Sequence, residues 1–294
     1  MAIILNTIAA FGAGVLAAAV GSVNAFIMTG FIAIIGGTLM CLGVPLAGDL
    51  NGIVAFGTIW GPHVSFAAGA AATAYAAKIK KIESGTALGQ GLAFLNEPSV
   101  LAVGGLFGVI GWIIGTYIVP FIFGGLIPVG TDNPGMTVFI SGVIARLAFG
   151  TKGIWSPERT FIAKGNEMGA LLLRTFGLSV MVGGSAIAIN SLGVSLAGYN
   201  ILIFGCAAIT LIFPGVQSWH HIGIISAFGS MIAVNAGLGD LGVMALTLFG
   251  GFDAALLCNI ENHMMNTGVE SHIDGEGFAI CLMTIVMNLV SMAL

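Results

Sequence analysis

Charge is what this sequence most lacks. Of 294 residues only 7% are charged, 8 Lys and Arg against 12 Asp and Glu, where a soluble protein carries roughly a quarter. So few ionic groups cannot wet a soluble globule of this size, which excludes a soluble enzyme. With acids outnumbering bases there is no basic stripe for nucleic acid. Cysteine is also scarce. Cys41, Cys206, Cys258 and Cys281 stand singly in apolar runs with no C-x-x-C pair, so zinc-finger and redox motifs are absent and all four read as small buried hydrophobes. No Walker A, GxSxG or strand-linked GxGxxG motif occurs, and no ATP-driven step is expected of this chain. The opening MAIILNTIAAFG has no basic region, so the first apolar segment is expected to be retained rather than cleaved.

What is present is apolar and glycine-rich. Hydrophobic residues make up 57%, glycine numbers 46, and the mean hydropathy is +1.08. The apolar runs do not alternate, which argues against a transmembrane barrel. Their lengths suit spanning helices of about 20 residues, and the glycines suit tight helix packing in lipid. The chain is therefore read as an all-α polytopic membrane protein. Ten spans are expected, at 3–27, 29–46, 62–79, 99–119, 134–150, 167–189, 194–213, 216–237, 239–258 and 275–294. The short apolar segment 53–60 and the Pro-containing segment 119–135 leave room for re-entrant pieces.

Orientation follows from the bases. In a ten-span plan Lys78, Lys80 and Lys81 fall on the same side as Lys152, Arg159 and Lys164, while Arg146 and Arg174 can snorkel there. The positive-inside rule makes that side cytoplasmic in a plasma (inner) membrane, with both termini outside. Asp49, Asp132 and Asp240 then lie outside, and Asp253 alone among the acids lies within a span.

The halves are weakly alike. Phe11-Gly12 leads to Asn24 as Phe176-Gly177 leads to Asn190, Trp60 precedes His63 as Trp219 precedes His220 and His221, and DNPG (132–135) parallels DGEG (274–277). Residues 1–150 and 167–294 are thus read as two five-helix repeats joined by a cytoplasmic linker at 151–166. An odd helix count inverts the second copy, as in secondary transporters with a site near the midplane. The plan is similar to that of the urea channels, whose LPxxTxPF-type signature is missing here.

Function is expected to be that of a secondary permease or channel for a small solute or ion. The alternative is a membrane-embedded subunit of an ion-translocating or membrane enzyme complex. Asp253 is the sharpest site residue, since a carboxylate inside a span needs a cavity or partner. His63, His220 and His221 could hydrogen-bond a solute or relay protons, and Asn24 and Asn190 are further pathway residues. No catalytic pair accompanies Asp253, so no enzyme activity is expected. Neither a cofactor nor a metal site is expected. The polar stretch 259–277 contains Glu261, His263, Glu270, His272, Asp274 and Glu276 without HExxH or EF-hand spacing. It reads as a solvated loop able to dock a soluble partner. Lipid and the solute are the main partners, homo-oligomers are allowed, and glycines 104, 108, 111 and 115 read as core packing before a subunit interface.

Overall fold

The computed structural model describes residues 1–294, and it is all-helical. In chain order the helices are α1 (Ala2–Val20), α2 (Ser22–Cys41), α3 (Ala47–Val54), α4 (Ser65–Lys78), α5 (Pro98–Ile113), α6 (Val119–Ile122) and α7 (Asn133–Phe149). They are followed by α8 (Gly165–Ser191), α9 (Tyr199–Ile209), α10 (His220–Asn235), α11 (Gly239–Met265) and α12 (Gly275–Ala293). A π-helical turn at Ile114–Ile118 fuses α5 to α6. Six helical segments are long and apolar enough to cross a membrane: α1, α2, the fused Pro98–Ile122, α8, α11 and α12. The remaining four expected segments also fold as helices, but α4, α7, α9 and α10 are shorter.

The surface is the inverse of a water-facing one. Only 97 of 294 residues are buried, and Ile3, Ile35, Leu106, Leu147, Leu173 and Leu241 point outward from the bundle. Exposed apolar area on this scale suits a lipid boundary.

Boundaries follow local chemistry. Residues 3–27, expected as one span, divide at Gly21, whose φ of 99° suits a residue without Cβ. The break also admits the returning chain, with Val23 N–H donating to the Leu88 carbonyl and Leu92 N–H to the Ala18 carbonyl. Pro98 opens α5, where its missing N–H costs nothing. Asp132 and Asp274 cap α7 and α12 in the same way, each side chain accepting the N–H of the glycine three residues on.

Helix packing uses the glycines as expected. A Cβ on Gly104 would sit 2.7 Å from the Gly14 carbonyl oxygen, and one on Gly108 would lie 3.0 Å from Gly14 Cα, so α1 and α5 touch backbone to backbone. Gly111 and Gly115 face His63. Glycines 104, 108, 111 and 115 therefore all serve the chain's own core. The arrangement recurs between the halves: α1 packs on α5 and α4, as α8 packs on α11 and α10, and α4 meets α7 as α10 meets α12. Across the halves, α2 lies on α9 and α7 on α12.

Lys78 at the end of α4 donates to the Ala148 carbonyl near the end of α7 at 2.8 Å. The two basic loops therefore emerge at one end of the bundle. Arg146 reaches that end, donating to the Ile154 carbonyl at 3.2 Å, but it does not meet water there. It is fully buried, because backbone carbonyls and side chains within the protein satisfy its donors.

The stretch 259–277 also differs from a solvated loop. Helix α11 continues through Met265, and within 259–277 only Thr267 and Gly268 are exposed. Arg146 holds Met265, Asn266 and Ser271 inward. One clasp stays near water: Glu270 accepts from the Thr151 N–H at 2.6 Å and from its hydroxyl. Those hydrogen bonds, with the Lys152 charge, hold the Glu270 carboxyl below its usual range. A depressed carboxylate stabilises the fold above its unfolded pKa, about 4.3, and loses that contribution as pH falls through the lower folded value. The thermal midpoint should therefore fall on acidification below about pH 4.3, and Glu270→Gln should flatten that limb. An identical acid limb in the variant would show that the clasp contributes nothing.

Candidate functional site

A cavity of about 390 Å³ lies among α2, α7, α9, α10 and α12. Its walls are aromatic, formed by Phe26, Phe56, Phe66 and Phe204. Its polar residues are Asp132, Asn200, Ser218, His220, His272, Asp274 and Glu276, and no lysine or arginine lines it. Few polar groups set in an apolar wall are the usual make-up of a small-ligand site.

The polar floor is built by two helix starts that meet. A Cβ on Gly277 would lie 2.7 Å from the Gly135 carbonyl oxygen, and one on Gly135 would lie 2.9 Å from that of Gly277. The segment leading into α7 runs along α12: Thr131 Oγ1 donates to the Cys281 carbonyl at 2.7 Å, and Asn288 Nδ2 to the Gly130 carbonyl at 2.8 Å. Reciprocally, the segment leading into α12 runs along α7, with Gly142 against the Ile273 backbone and Arg146 Nε donating to Ser271 Oγ at 2.6 Å. The two helices thus diverge from one meeting point, each flanked by the other's leading segment. Asp132 Oδ1 accepts the Gly135 N–H at 2.6 Å and Asp274 Oδ2 the Gly277 N–H at 2.8 Å. Both caps answer the positive helix ends.

His272 Nε2 lies 3.3 Å from Asp274 Oδ1. His220 Nδ1 lies 2.6 Å from Ser218 Oγ, and its ring packs 4.7 Å from that of Phe26 and perpendicular to His221. Behind the floor, His221, Cys258 and Glu276 bring one ligand atom each within 4.8 Å of one another, as do His272, Asp274 and Glu276. These are the groups able to hold a metal ion, and Glu276 belongs to both.

Arg146 holds the floor in place. Besides Ser271 Oγ, it donates to the Ser271 carbonyl at 2.6 Å, the Met265 carbonyl at 2.9 Å and Asn266 Oδ1 at 3.2 Å. Asn266 in turn donates to Glu261 Oε2 and to the Ile273 carbonyl. The loop between α11 and α12 is therefore fixed from both sides.

Of the six residues singled out in the sequence, the structure brings His220 and His221 to this site. His63 is buried beside Gly111 and Gly115 with its Nδ1 unpartnered, while the neighbouring Pro62 reaches the cavity. Asn24 begins α2 rather than ending the first helix, and its amide clasps the Val20 and Gly89 carbonyls. Asn190 is exposed at the end of α8 and lines a separate pocket with Val194 and Asn235. Asp253 sits half-buried within α11, outside the cavity lining and with no hydrogen-bond or ion-pair partner.

The residues that sequence reasoning missed are Asp132, His272, Asp274 and Glu276 as a single group. Asp132 is expected outside and Asp274 and Glu276 inside, on opposite loops, yet they share one cavity because both helices start within the body of the protein. The DNPG and DGEG parallel was the signal that could have joined them. No curated protein and no solved structure matches the chain. Its residues 1–162 match the family of unknown function DUF7973, which is more than half of the sequence, and the chain belongs to that family.

Proposed function

We propose that this protein is a secondary permease or channel for a small solute or ion, whose solute site is the cavity where α7 and α12 meet. The observation that carries the proposal is a partly apolar cavity with a concentrated polar floor inside a chain whose exterior suits lipid. The reading includes ten spans in two inverted five-helix halves, 1–150 and 167–294. Supporting it are the recurring pairings of α1, α4, α5 and α7 with α8, α10, α11 and α12, and the two Asp-capped starts that face each other. Opposed helix starts at a central site are a known transporter arrangement. The basic end of the bundle is then cytoplasmic.

A thermal-shift screen of purified protein against ions and small metabolites identifies the solute, because a ligand of the folded state raises its midpoint. Asp274→Asn then tests the site. Asparagine caps a helix about as well as aspartate, so folding is retained while the charge is lost. Uptake of the screened solute into proteoliposomes should fall at least tenfold, equivalent to about 1.4 kcal/mol. Unchanged uptake with an unchanged ligand-induced shift would remove the cavity from the pathway.

A further inference from the structure

We propose that the solute of this cavity is a divalent transition-metal cation of the zinc class, received by His272, Asp274 and Glu276 and held by His221, Cys258 and Glu276. The inference deepens the permease reading and rests on it for transport, but the binding site stands on its own geometry.

Three helices and a loop deliver these groups. His221 comes from the first turn of α10, Cys258 from α11 and Glu276 from the first turn of α12, while His272 and Asp274 come from the loop before α12. In each triad the ligand atoms lie within 4.8 Å of one another. Zinc bonds of about 2.0–2.3 Å place tetrahedral ligands about 3.5 Å apart, so a small closure of flexible side chains completes either set.

The unused capacity of His221 points the same way. It is 3% exposed, and its Nδ1 is buried without a partner. An orphaned buried nitrogen costs about 1–3 kcal/mol, a cost that a cation bound at Nδ1 would remove. Cys258 is buried and free of any disulfide, and Asn262 Nδ2 lies 3.3 Å from its sulfur, the kind of outer contact that orients a metal ligand.

Donor chemistry sets the class. Thiolate and imidazole with carboxylate suit zinc and its borderline neighbours, whereas magnesium and calcium require oxygen shells. Charge sets the sign. Asp132, Asp274 and Glu276 all line the cavity, and no lysine or arginine does. The two helix starts would favour an anion, but Asp132 and Asp274 already cap them.

Glu276 explains why the triads overlap. His272, Asp274 and Glu276 line the cavity, and His221 and Cys258 lie behind it. A cation bound to the outer triad reaches the inner one by keeping the Glu276 carboxylate while exchanging its other ligands. As the sulfur–metal bond forms, the Cys258 thiol proton passes to water.

The test uses the full-length protein in detergent, stripped of metal by a chelator and titrated with Co²⁺. A thiolate-to-cobalt charge-transfer band should appear, should vanish on adding Zn²⁺, and should be missing in Cys258→Ser. Glu276→Gln should raise the Zn²⁺ Kd more than about 100-fold, beyond the 10–100-fold typical of losing an outer contact. Each variant is compared with the parent by gel-filtration profile and tryptophan fluorescence, and Cys258→Ala replaces a serine variant that misfolds. No band in the parent protein, or an undiminished band in the Cys258 variants, overturns the site. Zn²⁺ flux into proteoliposomes carrying an entrapped indicator separates the two claims. A cobalt band with flux of neither Zn²⁺ nor any screened solute upholds the metal site and removes the permease reading. Flux of another solute with no band leaves the permease and removes the metal.

Discussion

Arg146→Met should lower the stability of the folded protein by about 3–5 kcal/mol, the range for stripping a partner from a buried charged network. Methionine fills much of the space but donates nothing. The Ser271 and Met265 carbonyls, which accept from the guanidinium at 2.6 and 2.9 Å, would be left without that donor, each at a cost of about 1–3 kcal/mol. Arg146→Lys should recover little, because one ammonium cannot reach the separated acceptors that a planar fork serves. The loss should also be local first. Hydrogen exchange should rise in 266–274 and 150–156 before it rises in α1 or α5, since Arg146 also donates to the Ile154 carbonyl at 3.2 Å. A thermal midpoint within a degree or two of the parent would show that the loop is held by other contacts.

The second large effect concerns the meeting of α7 and α12. In Gly277→Val the new Cβ would lie 2.6 Å from Asp274 Oδ2 and 2.7 Å from the Gly135 carbonyl oxygen. Neither can retreat cheaply, because one is a cap and the other is backbone at the facing helix start. Overpacking of this kind costs about 1–3 kcal/mol, and the lost Asp274 cap adds about 1 kcal/mol. Since Gly135 and Gly277 both line the cavity, solute binding should weaken together with stability. Gly184→Ala in the middle of α8 is the matched control: nothing lies within 4 Å of its added Cβ, and alanine should stabilise the helix by about 0.5–1 kcal/mol. Chemical or thermal unfolding in detergent reads both. Equal behaviour of the two variants would mean that the helix starts are not in the tight contact described.

The glycine contrast shows how far composition could be read. Their abundance correctly signalled close helix packing, but which glycine touches which backbone depends on crossing points that no local pattern encodes. The basic residues behaved similarly. The loops after α4 and α7 do emerge together, linked by Lys78 and Ala148. Arg146 lies at the same end but is buried there instead of snorkelling to water, because the α11–α12 loop supplies acceptors that become visible only once it folds back.

Asp253 and Asp274 mark the boundary most clearly. Sequence by itself determined the all-helical class, the presence of several helices long and apolar enough to cross a membrane, and the Asp-x-x-Gly starts of α7 and α12, because span length, low charge and capping chemistry are local properties. Lipid and a membrane-protein core are both apolar, so these helices are hydrophobic on every side and the pattern does not mark which side faces in. Asp253 therefore stood out by depth yet lies outside the cavity lining, while Asp274 and Glu276 passed for loop residues. Only the tertiary structure decided that two helix starts meet inside the bundle and gather His220, His221, Cys258, His272 and three acids there. Proximity among groups from different helices is set by how those helices cross.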